Sequence, residues 1–294
     1  MISDESLIDL NQQQDYLKHL SLTPQKTSDY SFVNLCGWAG EYQLTWRFTE
    51  PLIWLKQQLP QPKFWAPVGD WKNVSWPQVF KQIHLPATFT RVPEKLLEIW
   101  KDCGGLRLEI TEERNNWDYI YEASDLINLR GNRYHKKKNL LNQFIKKYDY
   151  QYFSLNTERI DETLALQEDW CTWRNCESDE TLASENKAIA NVLRSYRLFD
   201  NICGGVIFVN QLVTAYTVAE LFSDDMIIIH FEKGCPLYKG VYQAMNQLFL
   251  FHNADHRWVN REQDLGDPGL RKAKMSYHPS FFLKKYSVKV QEQK

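Results

Sequence analysis

Polar and apolar residues follow recognisable periods along most of this chain. Tyr42-Gln43-Leu44-Thr45-Trp46-Arg47-Phe48 alternates aromatic or apolar positions with polar ones, the period-2 pattern of a half-buried strand. On that pattern the stretch from Phe32 to Trp54 is expected to be strands. Leu7 to Leu22 reads as a short helix ended by a turn at Pro24, and the proline-rich stretch Leu59 to Pro67 reads as a loop. Trp76–Leu85 and Pro93–Asp102 are expected helices, the second with a proline suited to a first turn. Leu106–Ile110 and Trp117–Tyr121 are expected strands, joined by the polar turn Glu112–Asn116.

The second half is more regular. A basic helix precedes a strand at Tyr150–Leu155, and residues 157–175 and 183–200 have helical spacing, with Gln167 among apolar neighbours. Cys203–Val209, Leu212–Glu220 and Met226–His230 read as three consecutive strands with turns at Asn210-Gln211 and Ser223-Asp224-Asp225. Tyr238–Phe251 is an amphipathic helix. Strands grouped with strands and helices with helices predict an α+β fold. The first half shows a rougher version of the same order, without a sequence repeat.

Length and composition narrow the picture. At 294 residues the chain suits about two domains. A formal net charge of -2 argues against a protein that coats nucleic acid or membrane over its whole surface, while leaving room for a local basic patch. The start of the chain lacks a secretory pattern, and no apolar run is long enough for an integral membrane segment. The six cysteines form no C-x-x-C pair or zinc-type spacing, so free thiols in a cytoplasmic protein, and no metal site, are expected.

Three segments carry candidate chemistry. Arg130–Lys147 holds seven Lys/Arg and no acid; Arg133, Lys136, Lys137 and Lys138 are among them, with His135 alongside. Such uncompensated charge points to a polyphosphate or an RNA backbone, with a solvated helix face as the plainer reading. In Ile229–Val241 a strand runs through Glu232, Lys233, Tyr238, Lys239 and Gly240 into a helix, whose first N–H groups suit an anion. No G-x-x-x-x-G-K-[ST] spacing is present there, and a simple strand-to-helix turn is the alternative. Asn260–Pro279 crowds Arg261, Glu262, Asp264, Arg271, Lys272 and Lys274 around two glycines and a proline, which predicts an ordered loop. It reads either as an ion-pair network or as a pocket where a carboxylate acts as general base and a cation steadies developing charge. Glu220 is a further candidate base, against an edge-strand residue facing solvent. His230, His252, His256 and His278 read as structural histidines.

Ser124–Gly131 followed by Tyr134–Asn139, Glu232-Lys233, Gly240, and the run from Asn260 through Pro279 together resemble the bacterial family similar to the C-terminal domain of phosphatidylglycerol lysyltransferases. The resemblance covers roughly residues 30–290. It implies two tandem acyltransferase-like domains of the GNAT type with mixed sheets flanked by helices: an N-terminal domain over 1–129, a basic bridging helix over 130–148, and a C-terminal domain over 149–294 carrying the active site. It implies aminoacyl-tRNA or acyl-CoA as donor, no tightly bound cofactor and tRNA as a partner; the sequence departs from the lysyltransferases in showing no membrane-embedded segment, so a soluble small-molecule or peptide acceptor is expected beside the phospholipid. By the same reading, Glu262, Asp264 or Glu232 takes a proton from the acceptor, and Lys274 or Arg271 steadies the oxyanion. Asn260, Arg261, Tyr277 and Glu220 contact substrate. Lys233, Tyr238, Lys239, Gly240 and the basic helix hold the donor. The competing class is an RNA-binding or regulatory module that retains the fold without the chemistry.

Overall fold

The computed structural model describes residues 5–292. The chain runs through β1 (Ser6–Leu7), α1 (Gln13–Leu22), α2 (Phe32–Tyr42), β2 (Thr45–Thr49), β3 (Leu52–Gln57), β4 (Lys63–Trp65), β5 (Val68–Gly69), α3 (Trp76–Gln82), β6 (Ala87–Pro93), α4 (Glu94–Lys101) and β7 (Leu106–Glu112). It continues as β8 (Asp118–Glu122), α5 (Ala123–Asn128), α6 (His135–Lys147), β9 (Tyr150–Ser154), α7 (Ile160–Arg174), α8 (Glu180–Arg194), β10 (Ile202–Val209), β11 (Leu212–Ser223) and β12 (Met226–Gly234). The remainder is α9 (Val241–Phe251), β13 (Trp258–Asn260), α10 (Pro268–Met275), β14 (Phe281–Leu283) and β15 (Lys285–Glu292).

Two units result, each a mixed sheet flanked by helices, as expected for the class. The first takes the chain as far as Asp118, together with Gln263–Asp267 and the C-terminal segment from Phe282; the second holds Tyr119–Glu262 and Pro268–Phe281. The expected division at 129 and 149 therefore differs from the observed one. The basic helix α6 belongs to the second unit, and β15 returns to the first sheet because it is paired along its length with β6 and β7. Among the described residues no helix is long and apolar enough to cross a membrane.

In the first unit the sheet order is β1-β2-β3-β4-β6-β15-β7, with β5 beside β3. Its core is aromatic: Trp46, Trp71, Trp76 and Trp100 are buried, and Phe89 and Phe80 meet the Trp100 ring at 5.0 and 5.4 Å. Most of the tryptophan excess is thus core. Phe32–Tyr42 forms a helix, where strand was expected. The Ser31 hydroxyl accepts the Asn34 N–H at its start, and Phe32, Val33 and Leu35 go inward at helical spacing. The alternating pattern belongs only to the residues after it.

In the second unit the order β8-β13-β12-β11-β10-β9 is antiparallel except for β12 and β13, which pair parallel across the α9 crossover. Tyr216 and Thr217 are adjacent on β11 and so face opposite sides of the sheet. Gln167 of α7 accepts the Tyr216 hydroxyl on one side, and Asn246 of α9 lies beside Glu232, the partner of Thr217, on the other.

Three further expectations are corrected. The Asn260–Pro279 segment is not loop throughout, since Pro268 opens α10, a surface helix whose charges keep their water except at the buried Lys274. Glu220 lies on an interior strand and is 3% exposed, so it is no solvent-facing edge residue. Cys171 and Cys176 form a disulfide where free thiols were expected: α7 ends on a left-handed Asn175, and the chain doubles back far enough to bring the two sulfurs together.

Candidate active site

The β12–α9–β13 crossover decides where polar groups gather. Its parallel ladder ends at the Ile228–Asn260 pair, and β12 runs on to Gly234 without a partner from β13. Ligands in such sheets bind beyond the carboxyl ends of the parallel strands. Here those ends carry His230, Glu232, Arg261 and Glu262. On the far side of β13, Tyr119 of β8 holds the departing chain by donating its N–H to the Glu262 carbonyl and accepting the Arg261 N–H. Glu262 is left-handed at φ 55°, and its N–H donates to Asn260 Oδ1 at 2.7 Å. The buried Asn260 thus shapes the turn.

Two ion pairs bridge the splayed strands. Arg261 Nη2 lies 3.0 Å from Glu232 Oε1, with side chains 13% and 9% exposed. The second pair joins His230 Nδ1 to Glu262 Oε1 at 2.8 Å, and His230 Nε2 is 3.3 Å from Glu220 Oε2. Burial pushes the His230 pKa down, but its bonds to Glu220 and Glu262 outweigh that and raise it to about 9. His230 is thus engaged on both ring nitrogens, by Glu262 and Glu220.

Glu232 differs from these in chemistry. Burial lifts its carboxyl above the usual range, against the pull of Arg261. Its Oε2 has no hydrogen-bond partner, and neither have the buried Thr217 Oγ1 and Asn246 Nδ2. Asn246 lies close enough to favour the ionised carboxylate without closing a hydrogen bond on it. Arg261 stacks on the Tyr277 ring at 5.1 Å, and Lys137 of the basic helix stands 4.3 Å from the same ring. Burial and the nearby Arg261 lower the Lys137 pKa.

The other expected residues are distributed as follows. Lys274 Nζ donates to the Arg261 carbonyl at 2.6 Å, and the Tyr121 hydroxyl donates to the Lys274 carbonyl. Lys274 therefore fixes the backbone under Arg261. Arg271 is half-buried on α10. Asp264 lies in the first unit, fully buried, 3.3 Å from Arg114 and accepting the Gly266 N–H. Lys233 turns inward to Glu185 at 2.7 Å, its ammonium 4.0 Å from the Trp170 ring. It is thereby separated from Lys239, which is exposed, and from Tyr238, which packs on Tyr148. Gly240, at φ +89°, packs on α6, where an added Cβ would fall 2.2 Å from the Leu140 carbonyl oxygen. His135, Lys136 and Lys138 are exposed on α6, and Arg133 pairs with Asp125 at 2.8 Å.

Thr217 and Asn246 escaped the sequence reading. Each breaks an apolar pattern, Thr217 within Ala215–Ala219 and Asn246 within Ala244–Leu250, and a polar residue on a buried face is the signal that marks them.

A family model described as "Phosphatidylglycerol lysyltransferase, C-terminal" matches residues 20–289. A conserved protein of unknown function from Bacteroides thetaiotaomicron has a crystal structure with TM-score 0.91 and 28% identity, covering 99% of this chain and 100% of that one. The C-terminal domain of a putative lysylphosphatidylglycerol synthetase from Agrobacterium fabrum shares the fold at TM-score 0.66 and 14% identity, over 97% and 93% of the two chains. An uncharacterised protein of Mycoplasmoides gallisepticum is 24% identical over 238 residues, 71% of this chain and 75% of its own length. With the family model spanning nearly the whole chain, the protein belongs to the family of phosphatidylglycerol lysyltransferase C-terminal domains.

Proposed function

We propose that this protein moves an aminoacyl group from charged tRNA onto an amine or hydroxyl acceptor, with Glu232 as the general base. The observation that carries the reading is Glu232 itself. It is a buried carboxyl of raised pKa at the carboxyl end of a parallel strand, with one oxygen on Arg261 and the other unpartnered. A base gains from raised affinity for a proton and an open lone pair; burial raises the affinity of Glu232, and its Oε2 has no hydrogen-bond partner. Glu262, by contrast, is engaged by His230, and Lys274 by the Arg261 carbonyl. Arg261 supplies the local positive charge.

The donor follows from the surroundings. The exposed cations of α6 suit a polyanion, and Lys137 of the same helix reaches Tyr277 beside Arg261. The start of α9, where an acyl-CoA pyrophosphate would be expected, has Leu140 against Gly240, which weighs against that donor. The family's name adds the hydroxyl of a phospholipid headgroup to the acceptors considered.

Bulk aminoacyl-tRNA offered with hydroxylamine as a small acceptor should yield amino-acid hydroxamate and free tRNA faster than the uncatalysed background. Glu232→Gln should reduce that rate by about 10²–10⁴-fold without loss of folded protein. A variant as fast as the parent would remove Glu232 from the chemistry. Turnover of acetyl-CoA but not of aminoacyl-tRNA would move the donor to a thioester.

A further inference from the structure

Three polar atoms without partners meet beneath Arg261. Thr217 and Glu232 are directly opposed on β11 and β12, and Asn246 of α9 lies beside Glu232. Thr217 is 0% exposed and Asn246 1%, yet Thr217 Oγ1, Glu232 Oε2 and Asn246 Nδ2 form no hydrogen bond. Leaving a buried polar group unpaired is costly, so three at one place call for a reason. Their chemistry is complementary: the carboxylate only accepts, the amide nitrogen only donates, and the hydroxyl donates as well.

Resting on the aminoacyl-transfer reading, we propose that Asn246 Nδ2 and Thr217 Oγ1 are the oxyanion donors of this site, set beside the base Glu232. The acceptor nitrogen attacks the ester carbonyl carbon and forms the C–N bond. The carbonyl π pair moves onto oxygen, and that oxyanion accepts hydrogen bonds from Asn246 and Thr217. The proton lost by the acceptor goes to Glu232. Collapse of the intermediate restores the C=O bond and breaks the C–O bond to tRNA, whose hydroxyl oxygen takes the proton back from Glu232. Donors fixed in a buried site are already oriented when charge develops, which is what makes such groups effective.

Asn246→Leu and Thr217→Val test the assignment in the hydroxylamine assay. Losing one oxyanion donor is expected to lower kcat by about 10²–10³-fold for Asn246→Leu, with KM changed less than about threefold. The pH at half-maximal rate should rise in Asn246→Leu, which removes a group that favours the ionised Glu232 carboxylate, and should stay in place in Thr217→Val. Removing an unpartnered buried polar group should also leave the melting temperature unchanged or higher. Should Asn246 merely orient Glu232, kcat at the pH plateau would return to that of the parent in Asn246→Leu and Thr217→Val alike, and the oxyanion role would be overturned. An Asn246→Leu rate within fivefold of the parent would also overturn it, while leaving aminoacyl transfer standing. If the parent protein turns over neither aminoacyl-tRNA nor acetyl-CoA, the functional reading fails and the oxyanion assignment fails with it.

Discussion

His230 is a buried imidazole held by two carboxylates, Glu262 at Nδ1 and Glu220 at Nε2, which raise its pKa to about 9. In the unfolded chain a histidine titrates near 6.5. A group whose folded pKa lies above its unfolded value binds protons more strongly when folded. Its stabilisation is therefore fully present below about pH 6.5 and is lost as pH rises through about 9. The difference corresponds to about 3 kcal/mol at most, and urea denaturation between pH 6 and 10 reads it directly. In Glu262→Gln the pH dependence should flatten, because His230 keeps one carboxylate instead of two. An unchanged pH dependence in that variant would show that His230 is not the titrating group. At this scale the sequence pattern marked as candidates Glu232 and Arg261, which the fold pairs at 3.0 Å. It misjudged Glu220, because a lone acid after an apolar strand looks solvated until its histidine partner is placed opposite.

At the scale of elements, the β12–α9–β13 crossover sets the site, and one glycine sets how α6 meets it. Gly240 combines φ +89° with a Cβ direction blocked by the Leu140 carbonyl. Gly240→Val should cost about 2 kcal/mol or more, since it adds left-handed strain to a clash with backbone that cannot turn aside. Urea denaturation would check this, and a loss below about 0.5 kcal/mol would mean that α6 yields easily. The crossover was partly legible, because three consecutive strands followed by an amphipathic helix announce themselves by period. Helix α2 was not, since Ser31-Phe32-Val33-Asn34-Leu35 is short and apolar enough to fit either period, and a capping hydroxyl decided it. Nor was the Cys171–Cys176 disulfide, because only the left-handed turn at Asn175 brings those residues together.

Across the whole molecule, each unit carries a parallel crossover whose second strand has an arginine just after the last ladder pair. In the first unit this is Arg91, following the Trp65–Thr90 pair of β4 and β6. Arg91 lies 4.0 Å from the Trp65 ring and 2.6 Å from Asp29; Arg261 repeats the arrangement with Tyr277 and Glu232. In the first unit the carboxylate is further tied down, for Lys285 on β15 pairs with both Asp29 and Asp118 and is 0% exposed. Lys285→Met should destabilise the protein by about 3–5 kcal/mol, because it strips a cation from two buried carboxylates. A change below about 1 kcal/mol in denaturant titration would show that Arg91 and the neighbouring hydrogen bonds suffice. By itself the sequence determined the α+β class, most second-half elements, the basic helix and the charged turn, since period and composition record which residues face a core. Tertiary structure alone decided which carboxylate is buried with an unpartnered oxygen, which histidine lies between two carboxylates, and which sheet receives β15. Those properties depend on burial and on partners tens or hundreds of residues away, and a linear pattern does not encode that proximity.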